Sequence, residues 1–314
     1  MVNLVAFQMP ILRGVMKMAG LTPYTVEVEP GTTMNIWVPV ETMPKKKKED
    51  KRKTMTETRL SKPKKPVIVL VHGFAAEGIV TWQFQVCALT RKYSVYVPDL
   101  LFFGGSTTNK ADRSPAFQAE TVIKALEKLG VEKCVVVGFS YGGIVTFKMA
   151  ERYPDMVRAV VVSGSVFAMT ASTSKGLLND LGLKSSSELL LPTSVDGLKK
   201  TLAIATYKRV WLPDKLFKDF LEVMFVNRKE RAELLEGMIV SNMEAMIPNI
   251  SQKIHLVWGE NDCIFPVEVA RNLKGLLGEN ASFEGIEKGG HLVHLERPCF
   301  YNRLLKQFLA SVEL

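Results

Sequence analysis

The residue best placed to do chemistry is Ser140, which lies between Gly138 and Gly142 in the segment VVVGFSYGGIVTF. A G-x-S-x-G pattern that directly follows an apolar run and directly precedes a helical pattern is typical of a nucleophile elbow, a sharp strand-to-helix turn that exposes the serine hydroxyl. The two glycines suit such a turn because side chains at these positions would collide with neighbouring backbone. The pattern therefore predicts that Ser140 is a catalytic nucleophile.

A serine hydroxyl is a poor nucleophile without a general base, for which histidine is the usual choice. The sequence has four histidines, which are His72, His255, His291 and His294. In folds built around this elbow the acid and the histidine follow the serine along the chain, and His255 lies inside a strand-like run. The base is therefore His291 or His294, and we favour His291 because the two glycines before it allow a close approach to the serine.

The acid that orients such a histidine should lie on a loop that leaves a late strand. The segment WGENDCIFP is that loop, and it holds two acids, Glu260 and Asp262. Asp262 is the better candidate because Glu260 is closer to the end of the strand. The alternative role for Asp262 is to cap the helix that follows Pro266.

The negative charge that develops on an ester oxygen needs two backbone N–H groups, which together form an oxyanion hole. Tyr141, directly after the nucleophile, is predicted to supply one of them. Phe74, in the sequence HGFA after the first buried strand, is predicted to supply the other. His72 is then a structural member of that loop.

Strand-like and helical patterns alternate along most of the chain. Residues 24–40 alternate apolar and polar side chains around Pro30-Gly31, which predicts an antiparallel hairpin. Further strands are predicted at 67–71, 93–97, 134–137, 157–162, 254–258 and 281–286, and helices at 81–92, 115–129, 141–152, 267–277 and 298–312. This order predicts an α/β fold whose mostly parallel sheet of eight strands is flanked by helices.

The alternation stops at about residue 167, and helical patterns alone are found as far as 247. One apolar helix face follows Pro213, which suits a first helical turn, and Asn227 with Glu230 resembles a capping box. The members of that face are Phe217, Phe220, Leu221, Met224 and Phe225. We predict an N-terminal helix at 1–22, a core at 23–166 and 248–314 with a basic loop at 42–65, and an inserted helical cap at 167–247.

The net charge of +9 is concentrated in one segment. Residues 45–65 hold eleven of the 41 basic residues and three of the 32 acids, so the rest of the chain is close to neutral. The segment has no aromatic residue that could stack on bases, which argues against a nucleic-acid partner. A solvated loop is the plain interpretation, and weak attraction to anionic membranes is the sharper hypothesis.

The N-terminus is apolar, but Pro10, Arg13 and Lys17 interrupt it, so neither a cleaved signal nor a membrane span is predicted. A helix that covers the domain is one interpretation, and an amphipathic helix that rests on a membrane is the other. The four cysteines are scattered without a metal-binding spacing and are predicted to be buried thiols in a reducing compartment. These features predict a cytoplasmic protein, peripheral to membranes if the second interpretation of the helix holds.

Several segments resemble members of the α/β-hydrolase superfamily, in particular plant proteins described as esterases, lipases or epoxide-hydrolase-like. The similar segments are VHGF, PDLLFFGGS, GFSYGG, WGENDCIFP and GGHLVHLERP, within a resemblance that runs from about Tyr24 onward. The resemblance implies a triad of Ser140, Asp262 and His291, with the oxyanion hole at Phe74 and Tyr141.

The resemblance also bears on the reaction. Haloalkane dehalogenases and epoxide hydrolases of this fold carry an aspartate at the elbow, so Ser140 argues against both chemistries. The HGF loop differs from the HGGG form of many lipases, which argues against bulky tertiary-alcohol esters.

The predicted function is therefore that of a serine hydrolase without cofactor or metal, which cleaves a lipophilic carboxylic ester such as a monoacylglycerol through an acyl-enzyme. Two alternatives stay open. One is a hormone-like small-molecule receptor with slow hydrolysis, and the other is a lyase or C–C bond hydrolase that uses the same triad.

Overall fold

The structure is a computed structural model, and it describes residues 3–44, 61–241 and 249–312. Most of the basic loop predicted at 42–65 lies outside these residues, so the expectations for its charge stay predictions. Three lysines at its end, Lys62, Lys64 and Lys65, are described, and two of them have ion pairs. Lys62 pairs with Glu132, and Lys65 pairs with Glu41.

The chain opens with a helix and a hairpin. Helix α1 covers Leu4–Met18, and the Asn3 side chain caps it by accepting from the backbone N–H of Ala6 at 2.8 Å. Strands β1 (Leu21–Glu29) and β2 (Thr32–Pro39) then form the predicted antiparallel hairpin. Because β1 already begins at residue 21, the N-terminal helix is shorter than the predicted 1–22.

Strands and helices then alternate through the first half of the core. They are β3 (Val67–Val71), α2 (Gly78–Leu89), β4 (Ser94–Pro98), β5 (Thr107–Thr108), α3 (Pro115–Lys128), β6 (Cys134–Phe139), α4 (Tyr141–Arg152) and β7 (Val157–Ser163). Every residue of β3, β4 and β6 is buried. These strands have continuous apolar runs because helices cover both faces of the sheet.

Between β7 and the next core strand the chain forms a layer of short helices and one small pair of strands. These elements are β8 (Met169–Thr170), α5 (Ala171–Asp180), α6 (Ser186–Leu190), α7 (Val195–Ala205), α8 (Asp214–Met224), α9 (Arg228–Gly237) and β9 (Ile239–Val240). Phe217 and Met224 of α8 are buried, as the apolar spacing predicts. The helices lie within the predicted cap, whose end at 247 falls outside the described residues.

Three local predictions for this stretch are wrong. Strands β8 and β9 pair in parallel although the sequence predicts no strand, because two residues are too few to produce an alternating pattern. Pro213 precedes α8 instead of lying in its first turn. Asn227 has a left-handed backbone with φ of 53° and makes no cap bond, so no capping box forms. Its amide donates instead to the carbonyl of Phe102 at 3.1 Å.

The last part of the chain returns to the core. Its elements are β10 (Lys253–Gly259), α10 (Val267–Leu277), β11 (Ala281–Ile286), α11 (Val293–Glu296) and α12 (Pro298–Ala310). In the described part of the chain the strand order is β1-β2-β4-β3-β6-β7-β10-β11, with the two-residue β5 added beside β2. The strands from β4 to β11 along this order pair in parallel, and β1 and β2 are antiparallel. The predicted eight-stranded, mostly parallel sheet is confirmed.

Helix α1 bridges the core and the inserted helices. It contacts both α2 and α8, and its Met9 and Met16 are buried. Its first turn is tied to α8, because the Leu4 N–H donates to Asp219 Oδ2 at 2.7 Å. The helix therefore has the position expected of a covering helix. Among the described helices, none is long and apolar enough to cross a membrane.

The cysteines do not share the buried environment that the sequence predicts. Cys134 on the central strand β6 is buried, whereas Cys87, Cys263 and Cys299 are exposed. The prediction is wrong for these three because wide spacing along the chain carries no information about which face of a helix or loop a thiol occupies.

Candidate active site

Ser140 lies at the turn between β6 and α4. Its backbone has φ of 53° and ψ of −122°, a conformation that is strained for a residue with a Cβ. Hydrogen bonds hold the turn in place. The Ser140 N–H donates to the carbonyl of Ser163 at 2.9 Å, and its carbonyl accepts from Ser165 Oγ at 2.7 Å. The turn therefore fixes the serine at the carboxyl edge of the sheet.

The glycines on either side of the serine have no room for side chains. A Cβ at Gly138 would lie 2.2 Å from Thr146 Oγ1, and one at Gly142 would lie 2.3 Å from the carbonyl oxygen of His72. The second contact is with the backbone of the loop after β3, which cannot move aside as a side chain can. The absence of a Cβ at Gly142 thus lets α4 begin directly against that loop.

His291 and Asp262 lie next to the serine in a continuous hydrogen-bonded chain. His291 Nδ1 donates to Asp262 Oδ2 at 2.9 Å, which leaves Nε2 to accept from Ser140 Oγ at 3.0 Å. Both residues of the acid–histidine pair are buried. The structure therefore brings the three residues predicted from sequence into the geometry of nucleophile, base and orienting acid.

Asp262 is fixed by its own loop. Its Oδ1 accepts from the backbone N–H groups of Ile264 and Phe265, at 2.8 and 2.9 Å. These two bonds close the turn before Pro266. They do not cap α10, which was the alternative role expected for Asp262. One carboxylate oxygen thus anchors the side chain and leaves the other to face His291. Glu260, the other acid on this loop, is exposed.

The other histidine after the serine, His294, lies away from the hydroxyl. It is fully buried against the rings of Trp82, Phe139 and Tyr301. Burial, followed by the neighbouring charge of His291, lowers the pKa of His294 to about 3. A ring that stays neutral and makes no hydrogen bond to Ser140 does not have the geometry of its base.

The two remaining histidines have local partners. The Leu100 N–H donates to His72 Nε2 at 2.9 Å, so the proton is on Nδ1, which donates to the Gly73 carbonyl at 2.6 Å. Burial lowers the pKa of His72 to about 4. His255 stacks on the ring of Phe308, and burial lowers its pKa to about 4 as well. Neither ring contacts Ser140.

The loop after β3 runs alongside the serine. A Cβ at Gly73 would lie 3.2 Å from the Cβ of Ser140, so the backbone approaches closely here. The rings of Phe74 and Tyr141 then meet edge to face, with 5.6 Å between centroids. The structure therefore brings together the two residues predicted to supply N–H groups to an oxyanion.

A cavity of about 520 Å³ opens at Ser140 and His291. Its walls come from α1, α7, α8 and the loop after β3, and they are largely apolar. Among the described residues that line it, none is Lys, Arg, Asp or Glu. Apolar lining residues include Met9, Leu12, Leu198, Leu202, Phe217 and Phe220. The cavity can hold an uncharged apolar group beside the serine.

Arg231 of α9 holds the inserted helices against the core. Its Nε donates to the carbonyl of Phe102 at 3.1 Å, and its guanidinium carbon lies 4.0 Å from the centroid of the Phe103 ring. Burial lowers the pKa of Arg231 to about 10. The nearby Asp99 has its pKa raised to about 7, first by burial and then by the charge of Glu77. Arg231 Nη1 also donates to the carbonyl of Met224, a residue that lines the cavity.

Three residues at the site are missed by the sequence reasoning. Gly164 has φ of +54°, and a Cβ there would lie 2.8 Å from the His291 ring. Ser165 bonds the carbonyl of Ser140 as described above. Glu296 accepts from the Gly290 N–H at 2.7 Å and so holds the loop that carries His291. The sequence holds a signal for Gly164, which directly follows β7. Because the carboxyl ends of parallel strands meet at one edge of the sheet, a residue at this position is expected near Ser140.

Comparison with known proteins agrees with this architecture. A family model described as alpha/beta hydrolase fold matches residues 66–185. The chain is 27% identical over 256 residues to a 2-hydroxy-6-oxononadienedioate/2-hydroxy-6-oxononatrienedioate hydrolase of a Pseudomonas species, a match that covers 78% of this chain and 88% of the relative. The chain has the α/β-hydrolase fold.

The chain has other relatives, whose names give different activities. It is 24% identical over 260 residues to a monoacylglycerol lipase of Xenopus laevis, covering 79% of this chain and 77% of the relative. A solved membrane phospholipase A superposes with a TM-score of 0.77 at 24% identity, covering 98% of this chain and 91% of that one. A 2-hydroxy-6-oxo-6-phenylhexa-2,4-dienoate hydrolase from a Rhodococcus species gives 0.72 at 19% identity, covering 92% and 99%. At these identities the structures share the fold alone.

The predicted fold class is confirmed, and the family model and the relatives support the predicted α/β-hydrolase superfamily. The particular similarity to plant members, the roles of the site residues and the bond that is cleaved stay predictions.

Proposed function

We propose that this α/β-hydrolase is a serine hydrolase that cleaves lipophilic carboxylic esters through an acyl-enzyme. The observation that carries the proposal is the unbroken hydrogen-bonded chain from Asp262 through His291 to Ser140 Oγ, with links of 2.9 and 3.0 Å. Such a chain gives the histidine the tautomer needed to take a proton from the serine.

The reaction would proceed in two halves. Ser140 Oγ attacks the ester carbonyl carbon while His291 Nε2 takes the hydroxyl proton, and the imidazolium is stabilised by Asp262. The N–H groups of Phe74 and Tyr141 would hold the negative oxygen of the tetrahedral intermediate. His291 then returns the proton to the departing alcohol, which leaves an acyl-Ser140. In the second half a water, deprotonated by His291, attacks the acyl carbon. The bond from that carbon to Ser140 Oγ then breaks, His291 returns the proton to Oγ, and the acid is freed.

The cavity supports an uncharged, lipophilic substrate. An acyl chain in a cavity of about 520 Å³ would remove apolar surface from water at roughly 25 cal/mol per Å². No buried charge in the described walls would have to be compensated. The similarity to a monoacylglycerol lipase favours the same substrate class.

Hydrolysis of a C–C bond is the second candidate, and the relatives from Pseudomonas and Rhodococcus favour it. The same three residues could serve that reaction. A dienedioate substrate, however, carries two carboxylates, and no Lys or Arg lines the described part of the cavity to bind them. We therefore rank ester cleavage first. A hormone-like receptor with slow hydrolysis is the third candidate; it would show a ligand-induced shift in melting temperature with negligible steady-state hydrolysis.

A series of p-nitrophenyl esters from acetate to dodecanoate tests the proposal, with Ser140→Ala as the control. We expect activity that rises with acyl length up to the capacity of the cavity and is absent in the variant. Cleavage of a ring-fission product to a dienoic acid would instead identify a C–C hydrolase. It is monitored as the loss of the absorbance of the conjugated substrate. If none of the esters is hydrolysed, or if Ser140→Ala hydrolyses them as fast as the wild type, the proposal is overturned.

A further inference from the structure

Helix α1 forms one edge of the cavity mouth. Gln8 lines the cavity and is also exposed, so the opening lies on its side of the helix. Leu4 and Ile11 stand four residues before and three residues after Gln8, which places them beside it on the helix surface. Both are exposed, Ile11 to 58%. The mouth is therefore bordered by apolar side chains that face water on the side of α1.

The segment 207–212, with the sequence YKRVWL, forms another part of the edge. Val210 and Leu212 line the cavity and are exposed as well, so they lie at the opening. Trp211 stands between them and is 87% exposed. Lys208 and Arg209 precede it and are also exposed. A large indole held in water beside two cations is typical of a surface that meets a polar–apolar interface.

The backbone at both edges is held in place by specific hydrogen bonds. The start of α1 is bonded to Asp219 as described above. The Tyr207 and Lys208 N–H groups donate to Glu296 Oε1, at 2.7 and 3.3 Å. Glu296 also holds the loop of His291. The orientation of the segment is therefore coupled to the loop that carries the catalytic base.

We propose that this mouth surface, defined as Leu4, Ile11, Val210, Trp211 and Leu212 with Lys208 and Arg209, docks on a lipid bilayer that carries anionic headgroups. The tryptophan and aliphatic side chains would enter the headgroup region, and the two cations would contact lipid phosphates. The cavity opens within this surface, so an acyl chain could pass into it without crossing water. That last step rests on the proposed ester hydrolysis, whereas the docking does not.

Vesicle co-sedimentation of the full chain tests the docking. The vesicles contain phosphatidylcholine and phosphatidylserine in equal parts, or phosphatidylcholine alone. The variant Ile11→Ser/Trp211→Ser removes two side chains that do not line the cavity. Leu276→Ser on α10 is the matched control, since Leu276 is exposed to a similar extent, 54%, and is not at the mouth.

High salt is the decisive condition, because it screens the attraction of the basic segment at 45–65 to the lipid and leaves the apolar contribution. There we expect the double variant to partition at least about tenfold more weakly than the wild type, and Leu276→Ser to bind normally. Melting temperatures check that both variants are folded. Equal binding of the double variant and the control, or no binding by the wild type, would overturn the proposal.

Two further measurements separate docking from catalysis. Ser140→Ala should bind vesicles as the wild type does, so a failure of ester hydrolysis would leave the docking result intact. The double variant should hydrolyse a short, water-soluble ester at the wild-type rate and lose activity only on esters embedded in vesicles. Self-association in solution that depends on Trp211, without vesicle binding, would identify a protein partner and contradict the proposal.

Discussion

Gly164 lies so close to His291 that a Cβ at this position would stand 2.8 Å from two atoms of the imidazole ring. The glycine directly follows β7 and has a left-handed backbone with φ of +54°. The ring of the predicted base therefore occupies space that only a glycine leaves free. Its orientation depends on a residue outside the proposed triad.

Gly164→Ala should displace the imidazole and lower kcat by about tenfold to 100-fold, since small misplacements of a catalytic group have effects of this size. Gly182→Ala is the matched control. Gly182 also has a positive φ, of +65°, but nothing lies within 4 Å of its Cβ position. Steady-state kinetics on a p-nitrophenyl ester compare the two. If both variants lose activity equally, backbone strain and not contact with His291 is the cause.

Asp262→Asn should reduce kcat by about 10³–10⁴-fold, because an amide no longer fixes the histidine tautomer or stabilises the imidazolium. Glu260→Gln, on the same loop but exposed, should retain the wild-type rate. Single-turnover hydrolysis gives the comparison. An inactive Glu260→Gln beside an active Asp262→Asn would reverse the assignment of the acid.

Arg231→Met should destabilise the protein by about 1–3 kcal/mol, because it removes the side-chain donor of the Met224 carbonyl and leaves the Phe102 carbonyl with the Asn227 amide alone. Arg271→Met removes an exposed ion pair with Glu268 and should change the free energy of unfolding by less than about 1 kcal/mol. Urea denaturation measures both. Equal effects would mean that Arg231 does not hold the inserted helices to the core.

His294→Leu should make the protein less sensitive to acid. Burial lowers the pKa of His294 from 6.5 to about 3, so the unfolded chain binds more protons between these values. So far as His294 is concerned, the free energy of unfolding therefore has its full value above about pH 6.5 and falls as the pH drops towards 3. Between pH 7 and pH 5 the variant should gain about 2 kcal/mol relative to the wild type.

His72 and His255 also make the folded protein less stable as the pH falls, since burial lowers the pKa of each to about 4. Asp99, whose pKa is raised to about 7, acts in the opposite direction over the same range. The substitution leaves these groups unchanged, so the difference between variant and wild type isolates His294. Urea melts at both pH values provide that difference, and a constant difference would show that His294 does not titrate in this way.

Elements with a strong local pattern could be predicted from sequence. The apolar run of β3 and the helix after Ser140 have the expected bounds, because burial on both faces and the elbow glycines leave clear local signals. The two-residue strands β8 and β9 left none. The backbone of Asn227 was missed because its partner, the Phe102 carbonyl, lies 125 residues away.

At the candidate site, too, features with a local pattern could be predicted and those that depend on distant segments could not. The three residues proposed as the triad each follow a strand and could be found from chain order. The environment that orients them depends on contacts between distant segments, such as Gly164 with His291. The role of α1 in the cavity wall likewise depends on a bond from Leu4 to Asp219, 215 residues apart. No local pattern encodes such a contact.

The most direct test of the account is labelling with a fluorophosphonate, followed by mass spectrometry of the modified peptide. We predict one phosphonyl adduct on Ser140, formed in step with the loss of ester hydrolysis and absent from Ser140→Ala. An adduct on another residue, or hydrolysis that persists in Ser140→Ala, would contradict the claim that Ser140 is the nucleophile.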